Sequence, residues 1–155
     1  MIFSLYLSSL FVTWPEYSEQ TVQLCDESLV IRQYCWHMAN ANKVWPGTFT
    51  LAEFLTSHRE RYAAGDMLEL GSATGALSIY IRKLFVDIRL CTSDIDDGGE
   101  VEANIQFNFE RNGLARIPHV AHTWGETWAQ DSQHLLQQQY RFKYIVASDI
   151  LLYVR

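Results

Sequence analysis

The rhythm of apolar and polar positions changes once along the chain, near Gly65. Before it, two short β-prone runs, Thr21-Val22-Gln23-Leu24-Cys25 and Leu29-Val30-Ile31-Arg32-Gln33, surround the polar Asp26-Glu27-Ser28 and predict a hairpin. Val44-Trp45-Pro46-Gly47 reads as a turn or loop. Leu51-Ala52-Glu53-Phe54-Leu55 then carries apolar residues at helical spacing, with Thr48 or Thr50 placed to cap the helix.

After Gly65 strands and helices alternate. Met67-Leu68-Glu69-Leu70 is a short strand running into the glycine turn Gly71-Ser72-Ala73-Thr74-Gly75. A helix is expected from Ala76 to Phe85, with Leu77, Ile81 and Leu84 on one face. Ile88-Arg89-Leu90-Cys91-Thr92 is a second strand, and the helix after it, from about Gly99, stops at Asn112-Gly113. His119 to His122 and Tyr144-Ile145-Val146-Ala147 supply a third and a fourth strand. Such alternation implies a parallel sheet covered on both faces, an α/β class. Gln137-Gln138-Gln139 belongs on an exposed helix face.

Composition narrows the partners. The 155 residues are 48% hydrophobic and 19% charged, which suits a single packed domain. A net charge of −6 argues against nucleic acid, whose phosphates need clustered Lys and Arg. Cys25, Cys35 and Cys91 form no C-x-x-C pair, as expected of free thiols in a reducing compartment, the cytoplasm or nucleus. Residues 1–12 are apolar like a signal-peptide core but lack a basic start and a small-residue cleavage site. They are also too short to span a bilayer, so no membrane partner is expected.

The glycine turn carries the strongest chemical signal. A turn that leaves a parallel strand and opens a helix aims backbone N–H groups at a ligand. Gly71 permits the bend, and Gly75 lets the helix pack close to the strand. Asp94 follows about twenty residues later at a strand end, where a carboxylate can accept both ribose hydroxyls. Ala73 replaces the middle glycine of the dinucleotide pattern, and Glu69 would repel a pyrophosphate. A carboxylate there suits a cationic ligand such as S-adenosylmethionine better than NAD. His119 and His122, three apart, fall on opposite faces of a strand and make no metal pair; Asp96 and Asp97 serve the next helix's N-terminus.

Glu69-Leu70-Gly71-Ser72-Ala73-Thr74-Gly75 resembles the E-L-G-x-G-T-G motif of class I methyltransferases. With Val44-Trp45-Pro46, Thr92-Ser93-Asp94, Thr123-Trp124-Gly125 and Ala147-Ser148-Asp149-Ile150-Leu151-Leu152-Tyr153, the order of landmarks resembles family 16, the seven-β-strand protein-lysine methyltransferases. The resemblance runs from the hairpin to the last residue. It implies a Rossmann-like class I methyltransferase sheet, here about four parallel strands with helices, preceded by an N-terminal β-hairpin. Residues 1–45 would be the hairpin appendage and residues 46–155 the cofactor-binding part of one partial domain.

The resemblance also implies roles. Trp45 packs beside S-adenosylmethionine, Glu69 faces its cationic end, and Gly71, Ser72 and Ala73 line its methionine portion. Asp94 holds the ribose, Trp124 sits at the adenine and Ser148 touches the cofactor. Asp149 and Tyr153 stand where the family's D-x-x-Y motif frames the target lysine of a protein substrate. Two departures stand out: Ala73 replaces a glycine, and Asp149 to Tyr153 is one residue longer than D-x-x-Y. The family continues with three more strands, so residues 1–155 are expected to form an incomplete, exposed-edged domain with little turnover. The alternatives to a protein-lysine enzyme are a truncated product with weak cofactor binding or an interaction role, and a small-molecule N-methyltransferase.

Overall fold

The computed structural model describes residues 17–134 and 140–150. β1 (Tyr17–Leu24) and β2 (Glu27–Tyr34) pair antiparallel, with Leu24 opposite Glu27 and the turn made by Cys25 and Asp26. Cys25 takes a φ of 49°, the left-handed conformation that two-residue hairpin turns demand. Alternation along the strands sends Val22, Leu24, Leu29 and Ile31 inward.

The expected loop at Val44–Gly47 and the threonine cap are corrected. α1 (Pro46–Ser57) begins at Pro46, with Trp45 at the N-cap and no side-chain cap, while Thr48 is buried inside the helix. Proline suits the first helical position because its missing N–H would have had no partner within the helix. α2 (Arg59–Tyr62) is a single turn.

The alternating part is β3 (Asp66–Leu70), α3 (Ala76–Leu84), β4 (Arg89–Asp94), α4 (Glu100–Arg111), β5 (His119–Ala121), α5 (Gln130–His134) and β6 (Phe142–Ala147); all but α5 follow the expected course. The strands lie in the order β5-β4-β3-β6, all parallel. The chain steps outward from β3 to β5 and then returns to the other side of β3. That reversal opens a crevice at the carboxyl ends of the strands, the place where open α/β sheets bind ligands. No helix among the described residues is long and apolar enough to cross a membrane.

The two faces of the sheet are unequally dressed. Met67 and Leu90 point into one core with Ala52 and Leu55 of α1, Leu77 and Ile81 of α3, and Val101, Ile105 and Phe109 of α4. Their neighbours Leu68, Cys91 and Val120 point the other way, into a small cluster with Tyr140. The register slips between Asp66 and Met67, so Phe142 joins this smaller cluster while Tyr144 and Val146 pack on the larger one. Ile145, paired with Leu68, remains 63% exposed.

The hairpin is more than an appendage, because its apolar residues belong to the larger core. Its outer edge is also paired, by side chains. Asn112 accepts from Val30 N–H (3.0 Å) and donates to Val30 C=O (2.8 Å); Asn108 does the same with Arg32 (2.7 and 3.1 Å). Asn104 accepts from Arg32 Nε at 2.7 Å and donates to Arg32 C=O at 3.3 Å. Three asparagines one helical turn apart on α4 and its C-cap thus stand in for a neighbouring strand.

Candidate functional site

A cavity of about 400 Å³ opens at the carboxyl ends of the strands. The 38–41 loop and Trp45 form one wall, the glycine turn the floor, and the ends of β4, β5 and β6 the far side. Of the residues singled out in the sequence, Trp45, Gly71, Ala73, Asp94, Trp124, Ser148 and Asp149 line it. Glu69 and Ser72 do not; they border a much smaller pocket beneath the turn. Tyr153 and the Gln137–Gln139 run lie outside the described residues.

The turn is held by local geometry. Gly71 and Gly75 take φ of 67° and 75°, and Ala73 adopts 47°, a left-handed conformation in which its methyl is strained. A Cβ on Gly71 would lie 2.9 Å from the Ile150 side chain, with Trp124 just beyond at 3.6 Å. Gly75 makes room for a different neighbour than expected: its absent Cβ admits Ile105 of α4. Ser72 staples the turn to β4. Its N–H donates to Ser93 C=O at 3.1 Å, and its hydroxyl accepts from Ser93 N–H at 3.2 Å.

Asp94 closes β4 with both oxygens engaged by backbone. Oδ2 accepts from Ala73 N–H at 2.6 Å and Oδ1 from Ile95 N–H at 2.7 Å. Burial still dominates and raises its carboxyl above the ordinary value. Glu69 differs from its sequence picture. Its carboxyl is enclosed and takes a hydrogen bond from Ser78 Oγ. Burial, helped by the nearby charge of Asp94, pushes it from 4.5 up to about 8. The carboxyl expected to face a cationic ligand is thus enclosed beneath the turn and outside the larger cavity.

Trp45 donates through Nε1 to Asn40 C=O at 2.9 Å, and the Lys43 ammonium lies 4.3 Å from its ring centre. Trp124 is 51% exposed at the mouth. Asp149 adopts φ of 55° at the end of β6, and its Oδ2 accepts from Gly47 N–H at 2.6 Å. Ser148 Oγ lies 3.4 Å from Thr48 Oγ1.

Two contributors escaped the sequence reading. His122 lines the cavity with its ring stacked on Trp128, centres 3.6 Å apart and planes 10° from parallel. His37 is buried behind the 38–41 wall. Its Nδ1 accepts from Ala39 N–H, and Nε2–H donates to Asp97 Oδ2, each at 3.2 Å. Asp97, as expected, serves the start of α4, accepting from Gly99, Glu100 and Val101 N–H. His37, Asp97 and Glu100 bring their ligand atoms within 4.8 Å of one another. Because Nδ1 is the acceptor, Nε2 carries the hydrogen and offers no lone pair to a cation, so the group reads as a loop tether. His119 is elsewhere, bonded to Thr92 Oγ1 at 2.9 Å and lowered by burial to about 4. Adjacency across the fold brings His37 into place, whereas His122 directly precedes the Thr123-Trp124-Gly125 landmark, whose position could have pointed to it.

The model of a family described as lysine methyltransferase matches residues 23–155. Among solved structures, the chain is similar to a ribosomal protein L11 methylase from Lactobacillus delbrueckii subsp. bulgaricus, at 23% identity and a TM-score of 0.42. That likeness covers 61% of this chain and 42% of that one. It is also similar to an O-methyltransferase from Bacillus cereus in complex with SAH, at 22% identity and a TM-score of 0.49, covering 68% and 46%. The chain thus spans less than half the length of either protein.

Proposed function

The chain belongs to the lysine methyltransferase family, and from that premise we propose that it binds S-adenosylmethionine and serves methyl transfer to a protein lysine. The observation that carries this reading is the single cavity joining Gly71, Ala73, Asp94, Trp124 and Asp149 from four separate stretches of chain. Its volume of about 400 Å³ suits a small molecule. Gly71 lines the cavity, its missing side chain admitting Ile150, and Asp94 places a carboxyl beside the turn's backbone. These are the residues that would hold the cofactor, with Trp45, Trp124 and Ser148 around it.

When bound, the cofactor would supply a sulfonium methyl group open to direct displacement by the amine. The protein's work is alignment and exclusion of water. A lysine amine, with a reference pKa of about 10.4, must shed a proton before it attacks. Asp149 lines the cavity with Oδ2 anchored on Gly47, which leaves Oδ1 to accept a hydrogen bond from the amine and take up its proton. Trp45 and Trp124 supply aromatic faces for the cationic groups.

Calorimetry tests the ligand: S-adenosylmethionine binds more tightly than NAD, and the reverse order would overturn the reading. For the carboxylate, Asp149→Ala in the full-length protein is expected to abolish methyl transfer while cofactor affinity stays within about threefold. Normal turnover in that variant would strike Asp149 from the reaction.

A further inference from the structure

The start of α1 and the end of β6 meet at one tight contact between residues 102 apart in sequence. Trp45 provides no side-chain cap, and Pro46, first in the helix, has no N–H to offer. Gly47 N–H is therefore the first free donor of α1, and it points at Asp149 Oδ2, 2.6 Å away. Asp149 makes this contact with its own backbone at a φ of 55°, a conformation that side-chain-bearing residues enter at a cost. No room is left between the two. A Cβ on Gly47 would stand 2.6 Å from Oδ2, 3.0 Å from Cγ and 3.1 Å from Oδ1. The neighbouring hydroxyls of Thr48 and Ser148 run alongside at 3.4 Å.

We propose that Gly47 is a positioning residue for Asp149: its N–H fixes Oδ2, and its missing side chain lets the carboxylate turn Oδ1 to the substrate amine. The proposal rests on the reading of Asp149 given above. It goes further in making α1 part of the reaction's geometry: the helix start sets where the proton acceptor stands. A helix cap alone would need the hydrogen bond but would make no demand on the rate of transfer. Any residue larger than glycine at position 47 displaces the carboxylate, whatever else it conserves.

The experiment compares the full-length wild type, Gly47→Ala, Asp149→Ala and the double variant. S-adenosylmethionine affinity is read by calorimetry, and initial rates at saturating cofactor are read over a range of cell-extract protein as the lysine donor, so that apparent kcat and KM separate. Gly47→Ala is expected to lose at least about tenfold in apparent kcat, with cofactor affinity within about threefold. The double variant is expected to be no slower than Asp149→Ala. Gly47→Ala with an apparent kcat within about twofold of wild type, beside an inactive Asp149→Ala, overturns the positioning role and leaves the reading of Asp149 intact. Full turnover in Asp149→Ala overturns both.

A second measurement needs neither turnover nor the Gly47 variant. Hydrogen exchange at the Gly47 amide is expected to quicken at least about tenfold in Asp149→Ala, while the Leu55 amide in the buried part of α1 keeps its protection. Equal protection of Gly47 in both proteins overturns the proposal.

Discussion

Asp66 and Asp94 sit at opposite ends of the same sheet, one opening β3 and the other closing β4; each exposes little surface, but Asp66 lies just beneath the solvated Arg89 while Asp94 lies deep in the fold. Their carboxyls shift in opposite directions. Burial pushes both up, but at Asp66 it is outweighed by hydrogen bonds from Arg89 (Nε, 2.8 Å, and a terminal nitrogen, 2.5 Å) and Arg141 N–H (2.7 Å), with Arg89's charge assisting. Asp94 has backbone donors alone in bonding range, and burial prevails. The shallow site paired with Arg89 therefore yields an anchored structural ion at the amino ends, and the deeper one a less settled carboxyl at the carboxyl ends. Backbone strain leans the same way: apart from Cys25 in the hairpin turn, the left-handed non-glycine residues among the described residues, Asn40, Ala73 and Asp149, all line the carboxyl-end cavity. A chain invests in stability where nothing binds and leaves tension where something does.

That contrast can be broken by titration, and the largest effect is expected at Glu69. Its folded value lies near 8 against 4.5 when free, so between these limits the folded state holds the extra proton. Stability then falls as pH rises through this window, by up to about 3 kcal/mol between pH 5 and 8. Denaturant melts of wild type and Glu69→Gln check it: the difference between the two should change with pH in that sense. Taking the difference also cancels His119, whose lowered value removes stability as pH falls below about 6.5. A pH-independent difference would mean that Glu69 ionises freely in the fold.

Next in size is the affinity lost at Asp94. Asp94→Ala should weaken S-adenosylmethionine binding by roughly 1.5–3 kcal/mol, the worth of charge-assisted hydrogen bonds. Asp96→Ala should leave it within about threefold. Asp97→Ala should instead cost about 1 kcal/mol of stability, because it removes the cap of α4. Equal affinity in all three variants would take Asp94 out of the site and dissolve the contrast between the two ends.

The smallest effect sharpens the comparison from the other side. Asp66→Ala should lower stability by about 1–2 kcal/mol at neutral pH, since its partner Arg89 is largely solvated, and should leave cofactor affinity alone. Its folded value is depressed, so the stability it brings is complete above about pH 4 and drains away as pH falls further. Acid titration of the variant should lack that component. A change in cofactor affinity would show that the two ends are not independent.

These contrasts also mark how far the sequence could be read. Period-two and helical spacing are local, and they placed the hairpin, the alternating strands and helices, and the turn from Gly71 to Gly75 correctly. Motif order brought Trp45, Asp94, Trp124 and Asp149 to one cavity because the topology gathers strand ends there. The start of α1 was misread because its capping carboxylate arrives from 102 residues downstream. The state of Glu69 escaped because its surroundings, Ser78 beside it and a closed turn above, exist only once the helix has docked. His37 and His122 carry no periodic signature; each is defined by what folds against it.

The asparagines of α4 impose an order of events. During synthesis β1 and β2 leave the ribosome early, and local pairing can close the hairpin within microseconds. Yet Val30 and Arg32 must await partners made 72 to 82 residues later. Until then the nascent chain carries a strand with one bare flank, a surface that recruits stray strands from other molecules. Replacing Asn108 and Asn112 by leucine would prolong that exposure indefinitely, and the cost would surface first as insoluble protein in the cell.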